Sequence, residues 1–396
     1  MSLQDTPRAE RLHIGLFGRR NSGKSSLVNA LTGQDIALVS DVAGTTTDPV
    51  YKAMEVHGIG PAVFIDTAGF DDEGELGKMR VEKTRDALRR TDIAIVVFGT
   101  DAYDEEFNWI DKLEKQKTPV IAVINKMDIR TDVENLQKAI AQRLGSQPIL
   151  VSAREKQGID KVREAIIYRL PEDYDAIRIT AGLVDDGDLV MLVMPQDIQA
   201  PKGRLILPQV QTLRELLDTK CIVMSTTTDK MESALAAMSR PPKLIITDSQ
   251  VFREVYAKKP ADSMLTSFSV LFAQYKGDLA FFAESAAAID SLTEKSHVLI
   301  AEACTHVPLH EDIGRVKLPR LLRKRIGEGL TITHVSGVDF PQDLSPYDMV
   351  IHCGACMFNR QYVLSRVETA RQQKVPMSNY GVVLAYLTGI LEKIVW

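Results

Sequence analysis

Gly18-Arg19-Arg20-Asn21-Ser22-Gly23-Lys24-Ser25 stands between an apolar run, Leu12 to Phe17, and an amphipathic stretch, Lys24 to Thr32. The octet fits the pattern G-x-x-x-x-G-K-[ST], and a strand before it with a helix after it is the setting that pattern requires. Glycines at Gly18 and Gly23 let backbone N–H groups wrap an anion at a helix N-terminus, where the peptide dipoles already favour negative charge. In such a loop Lys24 neutralises the β and γ oxygens of a nucleotide and Ser25 ligates magnesium, while Asn21, Ser22 and Ser26 complete the lining. The segment therefore predicts a phosphate-binding strand–loop–helix unit.

Outward from it, Val63 to Ile65, Ile93 to Phe98, Val120 to Ile124 and Pro148 to Val151 read as strands, and Gly77 to Arg90, Glu105 to Glu114, Val133 to Leu144 and Gly158 to Arg169 as helices. This alternation implies an α/β domain over residues 1–170, with a largely parallel sheet covered on both faces. Strand ends carry the companions of the loop. Asp66-Thr67-Ala68-Gly69 puts Asp66 where it can hold a magnesium water and the Gly69 N–H where it can sense a γ-phosphate. In Asn125-Lys126-Met127-Asp128 the Asp128 carboxylate can accept both guanine N1–H and N2–H, and Ser152-Ala153 closes the base pocket. In Gly44-Thr45-Thr46-Thr47-Asp48, Thr46 is the expected magnesium-closing hydroxyl of a first switch, with Thr45 the near alternative.

Together these motifs resemble the small GTP-binding proteins, which implies GTP and GDP as ligands with Mg2+. Phe70 stands where Ras-like members have a water-orienting glutamine, as in the hydrophobic-substituted GTPases of the TrmE-Era group, so slow intrinsic hydrolysis is expected. Asn21 matches the loop asparagine that ligates potassium in TrmE-like members, a cation that could replace an arginine finger.

The remainder of the 396 residues is too long for one further small core. Pro171 to Asp175 reads as a linker, residues 180–261 as a small α/β unit, and residues 262–396 as a third α/β unit opening with two helical stretches. Charged residues at 26% and hydrophobic residues at 45% are an ordinary globular balance, and 48 basic against 53 acidic side chains give a net charge of -5, so nucleic acid is not advertised as a partner. With no apolar run of roughly 18 residues or more, a cytoplasmic protein without a membrane partner is expected.

Of four cysteines, Cys304, Cys353 and Cys356 fall in the last hundred residues, and five of seven histidines lie between His297 and His352. Cys304-Thr305-His306 follows one strand and His352-Cys353-Gly354-Ala355-Cys356 another, so a parallel sheet would bring both to its carboxyl edge. Three thiolates suit an iron-sulfur cluster with one iron left for a histidine or an exchangeable ligand. Cys3His is equally a closed zinc set. His306 and His352 are ligand or supporting candidates.

A GTPase domain joined to C-x-H-x45-H-C-x-x-C resembles the HydF family, the maturation GTPases of FeFe-hydrogenases, over essentially the whole chain. Thr305 to Leu309, Asp312 to Val316, Asp248-Ser249-Gln250 and Asn379-Tyr380-Gly381 are similar to that family as well. The resemblance implies a 4Fe-4S cluster on Cys304, Cys353 and Cys356, and a middle dimerisation domain making a homodimer. It also implies a transient diiron precursor with CO and cyanide ligands, made by radical-SAM maturases and delivered to apo FeFe-hydrogenase. The alternative is a ribosome- or tRNA-associated GTPase with a structural zinc. Arg315 to Arg325 carries six cations in eleven residues, by default a solvated helix face and otherwise a steering patch for an anionic cluster or partner.

Overall fold

The computed structural model describes residues 10–32, 50–56, 60–67, 86–100, 103–131, 133–170, 178–195, 205–303, 313–337, 339–355 and 358–396. The chain divides into two compact units, Met1–Tyr174 and Asp175–Trp396.

In the first unit β1 (Leu12–Phe17), β2 (Val50–Val56), β3 (Gly60–Asp66), β4 (Ile93–Phe98), β5 (Val120–Ile124) and β6 (Ile149–Leu150) form one sheet in the order β2-β3-β1-β4-β5-β6. Every pairing is parallel except that of β2 with β3. Apolar residues fill both faces, because successive side chains of a strand point to opposite sides and helices cover each. Thus Ile93, Ile95 and Val97 pack with Leu27, Leu31, Val162 and Ile166, whereas Ala94, Val96 and Phe98 pack with Trp109, Ile110, Leu113 and Ile140. Strand order reverses at β1, where β3 lies on one side and β4 on the other, and that is the place where open α/β sheets bind ligands.

The second unit holds two four-stranded, wholly parallel sheets. β7 (Leu189–Val193), β8 (Ile222–Thr226), β9 (Leu244–Thr247) and β10 (Met264–Ser267) pair in the order β10-β9-β7-β8. β11 (His297–Glu302), β12 (Thr331–Ser336), β13 (Met349–His352) and β14 (Met377–Asn379) pair in the order β12-β11-β13-β14. One core runs through both, joining Met191, Ile245 and Leu265 through Val270, Leu279 and Phe282 to Leu299, Ala301 and Val350. The chain thus has three α/β domains, of which the second and third share a core.

Two expectations need correction. The stretch after Asp262 begins with a strand, β10, which completes the middle sheet beyond the expected boundary at 261. The helix expected over Val382 to Ile394 is Tyr380–Leu387, ended by Gly389 in the left-handed region at φ 69°. The helix expected over Gly77 to Arg90 is described only at 86–90, and the linker at Pro171 to Asp175 lies outside the described residues.

Candidate nucleotide and cluster sites

The phosphate loop leaves β1 through Gly18 at φ 145° and enters the helix Lys24–Thr32 through Gly23 at φ 92°, backbone that a side chain would strain. A Cβ at Gly18 would meet the Val97 carbonyl at 2.5 Å, and one at Gly23 would meet Asn125 Nδ2 at 2.2 Å. Asn21 is also left-handed, at φ 60°, a conformation asparagine tolerates better than most residues. Lys24 is buried and its Nζ donates to the carbonyls of Gly18 at 2.6 Å and Arg19 at 2.9 Å, which poises the ammonium inside the loop. A buried carboxylate, Glu106, accepts the Arg19 N–H at 2.9 Å and pins the loop from the opposite side.

Asp66, at the end of β3, takes a hydrogen bond from Ser25 Oγ at 3.4 Å. Burial pushes its carboxyl above the ordinary value, against the lowering effects of the Lys24 charge and the Ser25 hydroxyl. Its Oδ1 is buried with no hydrogen-bond partner among the described residues. A half-satisfied, desolvated carboxylate beside a serine hydroxyl fits a hard, oxygen-seeking cation, so these residues suit magnesium.

The base pocket is tied to the loop. Asn125 Nδ2 donates to the Ser22 carbonyl at 3.0 Å, and its Oδ1 accepts the Ala153 N–H at 3.1 Å. Ser152 Oγ donates to Asp128 Oδ1 at 2.8 Å, and the exposed Asp128 carboxylate retains acceptor capacity for a base edge. Lys126, at φ 66°, turns the chain so that Asp128 follows the strand end. Thr45, Thr46, Gly69 and Phe70 lie outside the described residues.

In the second unit Cys353 directly follows β13. Its Sγ accepts N–H groups from Ala303 at 3.0 Å and Ala355 at 3.4 Å, the pattern that stabilises a thiolate. Ala303 precedes Cys304, so the two cysteine-bearing strand ends are adjacent, as the β11–β13 pairing requires. Among the described residues nothing stands within 4 Å of a Cβ built on Gly354. A cysteine sulfur held at a strand end by two backbone N–H groups fits one ligand of an iron-sulfur cluster. Cys304, His306 and Cys356 lie outside the described residues, and among the described ones no three His, Cys, Asp or Glu side chains gather as a metal site.

His352 is buried, with Nε2 against Arg366 Nη1 at 2.8 Å and Nδ1 against the Cys353 carbonyl at 2.6 Å. A guanidinium can only donate, so Nε2 accepts and the proton sits on Nδ1. Burial first, and the Arg366 charge second, push the imidazole pKa down to about 3, against the pull of the Cys353 carbonyl. Both nitrogens are engaged in this arrangement, which favours the supporting role for His352 over the ligand role.

Sequence reasoning missed three residues of these sites. Glu106 showed only as part of an acidic first helical turn. Arg366 lies in the stripe Tyr362, Val363, Arg366, Val367, Ala370 on the buried face of the helix Arg360–Gln372, and a charge at such a position was the legible signal. Lys276, also buried, donates to the Phe358 carbonyl at 2.9 Å. Within the basic stretch, Arg315 reaches Glu302 and Ser336, Lys317 reaches Gln250, and Arg325 reaches Asp290.

Residues 13–126 match the family model described as 50S ribosome-binding GTPase, residues 179–277 the hydrogen maturase F dimerization domain, and residues 280–396 the hydrogen maturase F tetramerization domain. GTPase Der of Wolinella succinogenes is 37% identical over 39% of this chain and 35% of its own. tRNA modification GTPase MnmE of Cupriavidus pinatubonensis is 36% identical over 40% of this chain and 37% of its own. The chain thus spans about a third of the length of these curated relatives. A solved structure of Aquifex aeolicus Era bound to GDP.AlF4- has 20% identity and a TM-score of 0.36, covering 57% of this chain and 98% of its own. The two hydrogen maturase F models together cover more than half of the chain. With a GTPase domain in front of the paired dimerization and tetramerization domains, the chain belongs to the hydrogen maturase F family.

Proposed function

We propose that this protein hydrolyses GTP and serves as a scaffold that receives a diiron precursor bearing CO and cyanide ligands and passes it to apo FeFe-hydrogenase. The observation that carries the reading is the union, in one chain, of a phosphate loop braced by Asn125, with Asp128 held by Ser152 nearby, and the two hydrogen maturase F domains. The ribosome- or tRNA-associated alternative draws on the N-terminal region alone.

In the G domain Lys24 neutralises the β and γ oxygens, the loop amides hold the phosphates, and Asp128 reads guanine. Ser25, Thr46 and Asp66 would hold magnesium, which supplies charge neutralisation across the β- and γ-phosphates. The Gly69 N–H senses the γ-phosphate, and Asn21 is the candidate potassium ligand. Phe70 offers no hydrogen bond to water, so unassisted turnover is slow.

In the third domain Cys304, Cys353 and Cys356 would hold a 4Fe-4S cluster, which supplies an iron with an exchangeable position. His306 stays a candidate for that position. Radical-SAM maturases are the partners that make the precursor. Self-association through residues 179–277, as a homodimer or within a larger assembly, follows the character of the matched domains.

Two variants test the reading. Lys24→Ala is expected to lose GTP turnover and keep iron, sulfide and the reduced-cluster electron paramagnetic resonance signal after anaerobic reconstitution. Cys353→Ser is expected to do the reverse. Stoichiometric zinc with no cluster signal in the parent protein would overturn the scaffold and favour the RNA-associated GTPase.

A further inference from the structure

Two buried basic side chains, Arg366 and Lys276, hydrogen-bond to His352 and Phe358, the residues that flank segment 353–357 in sequence. Arg366 is 2% exposed, its guanidinium carbon 4.7 Å from the Phe340 ring centre and 4.5 Å from that of Tyr362. It donates to His352 Nε2 at 2.8 Å, and its Nη2 donates to the Gly337 carbonyl and the Tyr362 hydroxyl, each at 2.7 Å. Lys276 is also 2% exposed and donates to the Phe358 carbonyl. One cation therefore grips the residue before Cys353, and the other the second residue after Cys356.

Keeping two charged groups out of water is costly, and their hydrogen bonds to uncharged groups on this segment tie that cost to the geometry of the loop. Arg366 does two things at once. By forcing Nε2 to accept, it fixes the imidazole tautomer, so Nδ1 holds the Cys353 carbonyl and orients the cysteine, the role that partners behind a metal ligand play. Its charge also sits in a low-dielectric setting behind His352, the residue next to Cys353, where it favours whichever state of a cluster bound at Cys353 is more negative. Reduction adds an electron to the cluster and makes it more negative.

We infer that Arg366 and Lys276 are positioning residues of the cluster loop whose buried charges raise the reduction potential of the cluster held there. The inference rests on the cluster reading proposed above. It concerns groups that stand behind the thiolates, so its signature is a potential and not merely a loss of iron.

The test is an anaerobic redox titration, followed by electron paramagnetic resonance, of the reconstituted full-length parent protein and of Arg366→Gln, Arg366→Lys and Lys276→Gln. Iron content and gel-filtration profile are measured alongside. The two Gln variants are expected to lower the midpoint potential, while Arg366→Lys stays closer to the parent. A Gln variant that loads iron at the parent level and titrates at the parent potential overturns the inference. If Arg366→Gln fails to fold, Lys276→Gln decides by the same criterion, and if neither folds, Arg366→Lys decides. That variant keeps the charge but not the fork, so iron at the parent level with a near-parent potential is expected of it, and loss of the cluster, or a potential far below the parent's at full iron content, would overturn the inference. Absence of any cluster in the parent protein would instead overturn the scaffold reading itself.

Discussion

Asn125 Nδ2 donates to the carbonyl of Ser22 at 3.0 Å, which makes the guanine-binding strand end a brace for the phosphate loop. The brace is tight: the same nitrogen leaves no room for a Cβ on Gly23. Gly23→Ala is therefore expected to lose nucleotide binding by at least roughly tenfold, through displaced Asn125 and strain at positive φ. Asn125→Ala leaves the buried Ala153 N–H without its acceptor, a cost of about 1–3 kcal/mol. Fluorescent GDP titration and thermal unfolding of both variants check this; parent-like affinity in Gly23→Ala would show that the loop yields freely.

Asp128 offers two acceptor oxygens, one of them already shared with Ser152. Asn at this position would offer one acceptor and one donor, a match for the carbonyl of xanthine in place of the amine of guanine. Asp128→Asn is expected to weaken GTP by about 100-fold or more and to gain xanthosine triphosphate. Competition binding with the two nucleotides reads it, and unchanged guanine preference would place base recognition elsewhere.

The readability of the sequence followed how each structural constraint is written in it. Gly18, Gly23 and Lys24 combine backbone need with charge, and β1, β4 and β5 are apolar on both faces, so loop and sheet were visible together. β10 and β14 were not, because each is short and its last residue is already a helix N-cap. Ser267 Oγ accepts the Val270 N–H, and Asn379 Oδ1 accepts the Val382 N–H, so no turn residues separate strand from helix. The role of His352 was hidden for another reason: the arginine that occupies its second nitrogen is fourteen residues away, on a helix whose apolar stripe masks it.

Asp278 caps the helix Leu279–Ala286 by accepting the Phe281 N–H at 2.9 Å, and it also pairs with Arg371. Burial alone would raise its pKa, but the Phe281 N–H and the Arg371 guanidinium outweigh that and hold it below the usual carboxylate value. A depressed folded pKa means the contribution is complete above the unfolded pKa of about 3.9 and is lost as pH falls through the folded value. Asp278→Ala is expected to cost about 1 kcal/mol near neutral pH. The difference between parent and variant should shrink below pH 4. Amide exchange at Phe281 from pH 6 to pH 3 measures it, and a gap that stays constant into acid would rule out the carboxylate as the cap.

Arg320, Arg323 and Lys324 follow i, i+3, i+4 spacing, so they share one face of the helix Leu318–Ile326, while Leu318 and Leu322 on another face are buried. Arg315, Lys317 and Arg325 of the same basic stretch are committed to Glu302, Gln250 and Asp290. The three on the shared face are thus the ones a steering role can draw on. Surface charges act over about 10 Å at 0.1 M salt, so their effect belongs to association rate and fades as salt rises. Changing all three to Gln is expected to slow association with an acidic partner surface several-fold at low ionic strength, with little change in stability and none in GTP turnover. Stopped-flow association with apo FeFe-hydrogenase, the recipient proposed above, across a salt series distinguishes the outcomes: rates equal to the parent at every salt concentration would leave this face as ordinary solvated helix.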